Sequence, residues 1–505
     1  MLKLTFYNLS VQLETDDYIL LAHIRSFVNK FYTQKQQKGF SQNQVSGDKV
    51  FAGSLKDKPI HLFHTNQFIH LYQYLEQLGY KLIPDEKIDK RQYDILPGDF
   101  KVRDNWTPYD YQVPIIDFLL DEPVKSKLVP IQTGKGKTST ALFTIGRLNQ
   151  RLGIVILPSF IEKWVLDICT VHEASTTDVM VIQGGKALRA VIELAKTDSL
   201  DNNYFIFSSR TMQEYINQYE ENPELCVDMY GCAPLDLFPL LGIGIMLVDE
   251  THMHYHAIFK ILIYTNVKFQ IGLSATLMSD DNLIERMHKV VYPDKYIYKG
   301  GELDRYTDVY AISYSMPDFY MKFIKTKNYG SNNYSHTAFE QSIIKRQDIL
   351  QKYIRLIKAN IEDYYIEDYK EQDKVIIFVS TVSMATRLSD ALRSFYPEFK
   401  VKRYCEEDSY EEMLGGDIIV STPISAGTAL DIPRLRVAIN TVSISSAPTN
   451  IQILGRLRKL KDRDVKYCYI YAGNIGKQKE YHLKRMELFK PRVANIALRQ
   501  SSASM

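Results

Sequence analysis

Gln132-Thr133-Gly134-Lys135-Gly136-Lys137-Thr138 decides how the rest of this 505-residue chain is read. The apolar stretch Leu128-Val129-Pro130-Ile131 precedes it and Ala141-Leu142-Phe143 follows it, giving a strand, a glycine-rich loop and a helix in succession. Gly134 and Gly136 let backbone N–H groups turn toward one anion. Lys137 adds a fixed positive charge, and the Thr138 hydroxyl can ligate Mg²⁺. Residues Thr133 to Thr138 therefore read as a triphosphate-binding loop. The strict G-x-x-x-x-G-K-[ST] spacing would place a further glycine where Ile131 stands. Taken alone, the stretch also reads as a glycine-rich turn before an ordinary helix.

Two later segments supply what such a loop needs. The apolar run Ile243 to Val248 ends in Asp249-Glu250-Thr251-His252. An acidic pair at the C-terminal end of a buried strand is where a nucleotide's metal lies. Asp249 is the candidate Mg²⁺ ligand beside Thr138, and Glu250 the candidate base for an attacking water. An acidic helix cap is the other reading of this pair. Next comes Phe269-Gln270-Ile271-Gly272-Leu273-Ser274-Ala275-Thr276, a strand running into small hydroxyl residues. Ser-Ala-Thr by itself is an ordinary capping sequence; the order and spacing of the three segments carry the argument.

In that order the three motifs resemble the first motor domain of superfamily 2 helicases and translocases. The resemblance implies a second half. Lys374-Val375-Ile376-Ile377-Phe378-Val379-Ser380 is similar to the strand that opens the second motor domain. Ile418-Ile419-Val420-Ser421-Thr422 with Gly427 to Pro433 resembles the fifth motif, and Gln452-Ile453-Leu454-Gly455-Arg456-Leu457-Arg458-Lys459 the sixth. The likeness covers roughly residues 105 to 472 and is nearest in flavour to bacteriophage branch-migration helicases of the UvsW type. It implies that Gln112 pairs with adenine while Tyr109 or Tyr111 stacks on the ring, so that the nucleotide is ATP. It further implies that Gln452, Asp431, Arg456 and Arg458 act on the γ-phosphate. The family's second arginine usually stands where this chain has Lys459, so Arg458 falls one residue early. For the nucleic-acid strand the resemblance points to Pro158, Ser159, Gly184, Gly185, Ser209, Arg210, Ser380 and Thr422. Short hydroxyls, glycine N–H groups and a nearby cation suit phosphate contacts that carry no sequence information.

Composition sets bounds on these readings. A net charge of +2 does not announce a nucleic-acid binder, although a motor needs only a local positive strip. The five cysteines include no C-x-x-C pair, which suits reduced thiols and a cytoplasmic setting, that of the host if the chain is a phage protein. No apolar run approaches membrane-spanning length, so no membrane partner is expected.

The expected architecture is α/β: two RecA-like parallel-sheet motor domains in tandem after a small α+β N-terminal domain. The boundaries read as 1–98, 99–300 and 301–474, followed by a basic tail over 475–505, a candidate helix on DNA or on the second motor domain, that ends in disorder over Ser501–Met505. That tail holds seven Lys/Arg against two Asp/Glu. In the N-terminal domain Lys30, Lys35, Lys38, Lys49 and Lys56, with Tyr32 and Phe40, are candidates for DNA contact or for a solvated loop. His61, His64 and His70 lack a companion cysteine or paired acid and read as ordinary histidines. The expected activity is a DNA helicase or translocase using ATP and Mg²⁺ on single-stranded, forked or branched DNA. An RNA helicase, a non-unwinding duplex translocase and a nucleotide-gated binding protein without turnover are the alternatives.

Overall fold

The computed structural model describes residues 1–35, 48–122, 125–131, 135–251, 254–274, 281–300, 304–327, 333–405, 408–425 and 432–505. They fall into two compact units, the first within residues 1–301 and the second over 302–505.

The described residues of the first unit hold two large sheets and a two-stranded ribbon, Thr33–Gln34 with Lys49–Val50. Strands Leu2–Phe6, Ser10–Thr15, Gly53–Ser54, Ile60–His64 and Glu86–Asp89 form a five-stranded sheet. All its pairings are antiparallel except that of Leu2–Phe6 with Glu86–Asp89. Helices Tyr18–Phe31 and Thr65–Gln77 bury Leu20, Ile24, Phe27, Leu71 and Leu75 against it. Asp17 caps the first helix through the N–H groups of Ile19 and Leu20, and His64 with Gln67 forms a capping box on the second.

The larger sheet has six parallel strands. Their order is Val179–Ile182, Tyr204–Ser208, Leu152–Ile156, Ile245–Val248, Phe269–Ser274, Lys125–Pro130. Strands buried on both faces need continuous apolar runs, and Leu152–Ile156 and Ile245–Val248 are buried at every position. The acidic pair and the phosphate loop therefore leave the same, C-terminal edge of one sheet.

These two sheets share one hydrophobic core. Phe51, fully buried, meets Phe259 edge-on at 5.4 Å and His256 at 5.0 Å. Glu220, on the helix Ser209–Glu221, accepts from the Ser54 N–H at 3.3 Å, Lys260 Nζ at 2.6 Å and the Tyr264 hydroxyl at 2.8 Å. Lys58 pairs with Glu224 at 2.9 Å, and Lys56 with Glu221. The connecting segment is tied down too: the Leu96 N–H donates to Gly242 O at 3.0 Å, and the Asn266 side chain donates to Lys90 O at 2.8 Å.

The seam changes the reading of the N-terminal lysines. Lys56 pairs with Glu221 across the seam, with more than half of each side chain exposed. Tyr32 is 3% exposed and its hydroxyl bonds His70 Nδ1 at 2.9 Å, so it is a core residue and not a base-stacking platform. Lys38 and Phe40 lie outside the described residues.

Phe51→Ala is expected to destabilise the first unit by about 3–5 kcal/mol, the range for emptying a buried aromatic site. Denaturant unfolding followed separately at the two sheets checks this. Because the core is shared, both signals should move together; a shift confined to the N-terminal sheet contradicts a common core.

The second unit is a seven-stranded parallel sheet. Its order is Val401–Tyr404, Ile418–Ser421, Lys374–Phe378, Leu435–Asn440, Val465–Ala472, Thr307–Tyr314, Asn495–Gln500. Ahead of the strand Lys374–Phe378 lie the helices His336–Ile344 and Gln347–Ile361, the second continued by a π turn over Glu362–Ile366. The tail begins as a helix packed on the second unit, one of its expected placements, and departs from expectation at its end. Gly476–Phe489 is a helix whose Arg485 donates to Val442 O at 2.9 Å, and Asn495–Gln500 adds the outermost strand beside Thr307–Tyr314. Met505, expected in a disordered end, is 4% exposed and packs into the core. The tail's basic residues masked an edge strand whose side chains face mostly solvent.

Candidate nucleotide and nucleic-acid site

The helix Lys137–Leu148 starts at the phosphate loop. Gly136 takes φ +66°, and a Cβ there would stand 2.6 Å from Gln112 Nε2, so the position needs glycine twice over. Lys137 Nζ donates to Glu250 Oε1 at 2.9 Å, with only 10% and 21% of the two side chains exposed. Strand Phe269–Ser274 lies between the strands that carry these residues. The pair thus spans two strand spacings, about 9.6 Å. A long lysine bridges that gap, and a carboxylate fills the position to which an anion is drawn.

Asp249 stands beside the pair. Its Oδ1 accepts the Glu250 N–H at 2.9 Å and its Oδ2 accepts the Trp164 indole N–H at 3.0 Å. Burial first, and then the charge on Glu250, hold the Asp249 carboxyl above the usual carboxylate range, while Lys137 and Trp164 oppose them. Glu250 sits at φ +49°, a left-handed backbone uncommon for a non-glycine residue. Two neighbouring carboxylates and the Thr138 hydroxyl are hard oxygen donors, the set Mg²⁺ prefers. A divalent cation would relieve the like-charge conflict that raises Asp249, so these residues fit the metal.

Gln112 has partners the sequence did not suggest. It is 1% exposed; its Oε1 accepts the Tyr109 N–H at 2.9 Å, and its Nε2 donates to Lys135 O at 3.3 Å and Gly136 O at 3.4 Å. Here the amide clamps the entry segment to the phosphate loop. Tyr109 and Tyr111 stack nearly parallel, 5.6 Å apart, and Lys135 Nζ lies 4.9 Å over the Tyr111 ring. Both tyrosines are exposed, which leaves aromatic surface beside the loop. Thr133, Gly134, Thr276 and Asp431 lie outside the described residues.

Trp164 is the residue sequence reasoning missed. It projects from the helix Ile161–Val171, is 1% exposed, and reads in the sequence as one more core aromatic. Nothing in its spacing reveals that its N–H reaches Asp249. Trp164→Phe keeps the ring and removes the donor. A hydrogen bond to a charged group contributes about 1.5–3 kcal/mol. ATPase activity at limiting Mg²⁺ should therefore fall about tenfold to a hundredfold. A Mg²⁺ titration checks this, and an unchanged titration curve would show that the contact only packs.

The remaining half of the same edge carries the expected strand contacts of the first unit. Pro158 and Ser159 follow the strand Leu152–Ile156, Gly184 and Gly185 follow Val179–Ile182, and Ser209 and Arg210 follow Tyr204–Ser208. These three strands are adjacent, and the Gly184 N–H donates to Thr211 Oγ1 at 2.7 Å. The structure brings the three segments to one end of the sheet. Arg210 is exposed and pairs along its own helix with Glu214 at 3.2 Å.

Within the second unit, Ser380 and Thr422 follow the adjacent strands Lys374–Phe378 and Ile418–Ser421. Glu340, fully buried, accepts the Ser380 N–H at 2.7 Å and the Thr381 hydroxyl at 3.2 Å, which fixes that turn. Burial pushes the Glu340 carboxyl up to about 8. Gln452 lies on the helix Ala447–Leu454, capped by Ser446. Arg456 is 6% exposed, and Arg458 donates to Gly455 O at 3.0 Å, while Lys459 is exposed.

Comparison with known proteins follows the same lines. Residues 105–279 match the family described as type III restriction enzyme, res subunit. No curated protein matches the chain. Among solved structures, Dbp5 of S. cerevisiae bound to RNA and ADP BeF3 is 13% identical, with a TM-score of 0.50 over 78% of this chain and 90% of that one. A variant of the same protein in the same complex is 12% identical at TM-score 0.51. UvsW of T4 is 14% identical over 99% of both chains, at TM-score 0.36. Among the described residues no helix is long and apolar enough to cross a membrane.

Proposed function

We propose that this superfamily 2 helicase-type protein, a nucleic-acid-dependent ATPase, couples ATP hydrolysis to movement on DNA and so unwinds or branch-migrates recombination and replication intermediates. The observation that carries this reading is the Lys137–Glu250–Asp249 constellation at the sheet edge that also bears the Pro158, Gly184 and Ser209 segments. Chemistry and strand contact on one edge of one rigid sheet allow a change at the nucleotide to be felt at the strand.

In this reading Lys137 exchanges the Glu250 carboxylate for phosphate oxygens when ATP binds. Glu250 is thereby released to orient the attacking water and take its proton. Mg²⁺, held by Thr138 and Asp249, would neutralise charge on the β- and γ-phosphates. Tyr111 stacks on the base, while Gln112 holds the loop in shape and pairs with adenine once released from it. Gln452, Asp431, Arg456 and Arg458 sense the γ-phosphate, and the arginines neutralise charge that develops on it. Ser380 and Thr422 contact the strand from the second unit, as Ser159, Gly185 and Arg210 do from the first.

The test is strand displacement from forked DNA and from a four-way junction, with ATP and with a non-hydrolysable analogue. ATP-dependent resolution of either substrate supports the proposal. ATP hydrolysis stimulated by DNA without any displacement would leave a translocase that does not unwind, and activity on RNA duplexes alone would make the track RNA. The N-terminal sheet should be probed in these assays by point substitution. A chain begun near Val102 would lay bare Phe259 and Tyr264 and confound selectivity with folding.

A further inference from the structure

The seam between the N-terminal sheet and the six-stranded sheet encloses a cavity of about 150 Å³, at the end of the strand Lys125–Pro130 away from the phosphate loop. Its lining includes His64, Thr65, Ser126, Lys125, Lys295 and Tyr296, and among the described residues contains no carboxylate.

Several of the polar groups around it can donate, beside the side-chain amides of Asn8 and Asn66. His64 is 4% exposed, and its Nδ1 accepts the Asn66 N–H at 3.2 Å. Burial, with the charge of Lys125 adding to it, pushes the imidazole down to about 3, so it is neutral. A neutral ring whose Nδ1 accepts carries its proton on Nε2. That Nε2 has no hydrogen-bond partner among the described residues, and neither have Thr65 Oγ1 and Ser126 Oγ. Ser126 is 3% exposed. A buried donor left unpaired is costly, and three on one small cavity mark a missing partner. The helix Thr65–Gln77 begins here, with its positive dipole end toward the same place. Lys125 and Lys295 add two positive charges at the wall.

We propose that this seam cavity is a binding site for a phosphate-sized oxyanion, held by His64, Thr65 and Ser126 with Lys125 and Lys295 supplying charge. The site is separate from the ATP-binding edge and joins the N-terminal sheet to the ATPase sheet, so its occupant would brace the seam. The oxyanion is either free phosphate or a backbone phosphate of a bound nucleic acid, and both present the same tetrahedral acceptors.

The experiment uses full-length Lys137→Ala protein, in which the phosphate loop is crippled, and inorganic phosphate as the probe. Phosphate binding is followed by ³¹P NMR titration against chloride at equal ionic strength. The parent should bind phosphate. Adding Lys125→Ala with Lys295→Ala should weaken binding by about tenfold or more, the worth of a charge-assisted hydrogen bond. Ser126→Ala should weaken it also, although losing an unpaired hydroxyl should not destabilise the anion-free fold; thermal unfolding of each variant verifies that. Phosphate binding no better than the chloride control, or unchanged by the lysine substitutions, overturns the proposal. A second arm measures protection of Lys125 and Lys295 from amine acetylation. Protection by phosphate alone identifies a free anion, protection by a short single-stranded oligonucleotide as well identifies a backbone phosphate, and protection by neither overturns the site.

Discussion

Glu250→Gln is expected to lower ATP turnover by about a hundredfold to ten-thousandfold, the contribution of a positioned general base. Nucleotide binding should survive and can tighten. In the structure the Glu250 carboxylate occupies Lys137 at 2.9 Å, and an amide competes less well with phosphate for that ammonium. Lys137→Ala should do the opposite and weaken nucleotide binding itself. Fluorescent-nucleotide titration and single-turnover hydrolysis, run on both variants, separate the two effects. Near-normal hydrolysis by the Glu250→Gln variant would remove Glu250 from the role of base.

The second large effect is expected in the second unit. An arginine that neutralises the transferred γ-phosphate contributes about a thousandfold or more in other phosphoryl-transfer proteins. Of the three basic residues in the motif, Arg456 is the buried one, Arg458 is engaged with Gly455 O, and Lys459 faces solvent. Arg456→Ala should therefore depress hydrolysis most, Arg458→Ala less, and Lys459→Ala least. Arg456→Lys should not rescue, because an ammonium lacks the forked, planar geometry. Unchanged thermal stability alongside lost turnover distinguishes a chemical role from a packing one. If Lys459→Ala alone abolished hydrolysis, the motif would be displaced by one residue from the proposed assignment.

How much was legible in the sequence follows from what constrains each residue. The phosphate loop and the acid pair are visible because chemistry dictates residue type where a buried strand runs into a loop; the sixth motif was read only through its resemblance. Strands such as Ile245–Val248 were legible as unbroken apolar runs, since both faces are covered. The merging of the N-terminal sheet with the six-stranded sheet was not. Phe51 and Phe259 are ordinary apolar residues far apart in sequence, and nothing local says they share a core. Trp164 was missed for the same reason: its indole ring packs like any aromatic, and only the fold brings its N–H to Asp249. Gln112 was noticed as a recognition residue, yet its contacts with Lys135 O and Gly136 O depend on how the loop folds back. The outermost strand Asn495–Gln500 was hidden because an edge strand with one solvent-facing side carries little apolar signal.

The central claim is that ATP is hydrolysed at the Lys137–Asp249–Glu250 edge in response to nucleic acid. Steady-state phosphate release should be measured on the full chain with no polymer, single-stranded DNA, duplex, forked DNA, a four-way junction and RNA side by side, at fixed salt because phosphate contacts are salt-dependent. Slow basal release, strong stimulation by DNA with forks or junctions foremost, and loss of all of it in Glu250→Gln are expected. Release that no polymer stimulates, or that persists undiminished in Glu250→Gln, would contradict that claim.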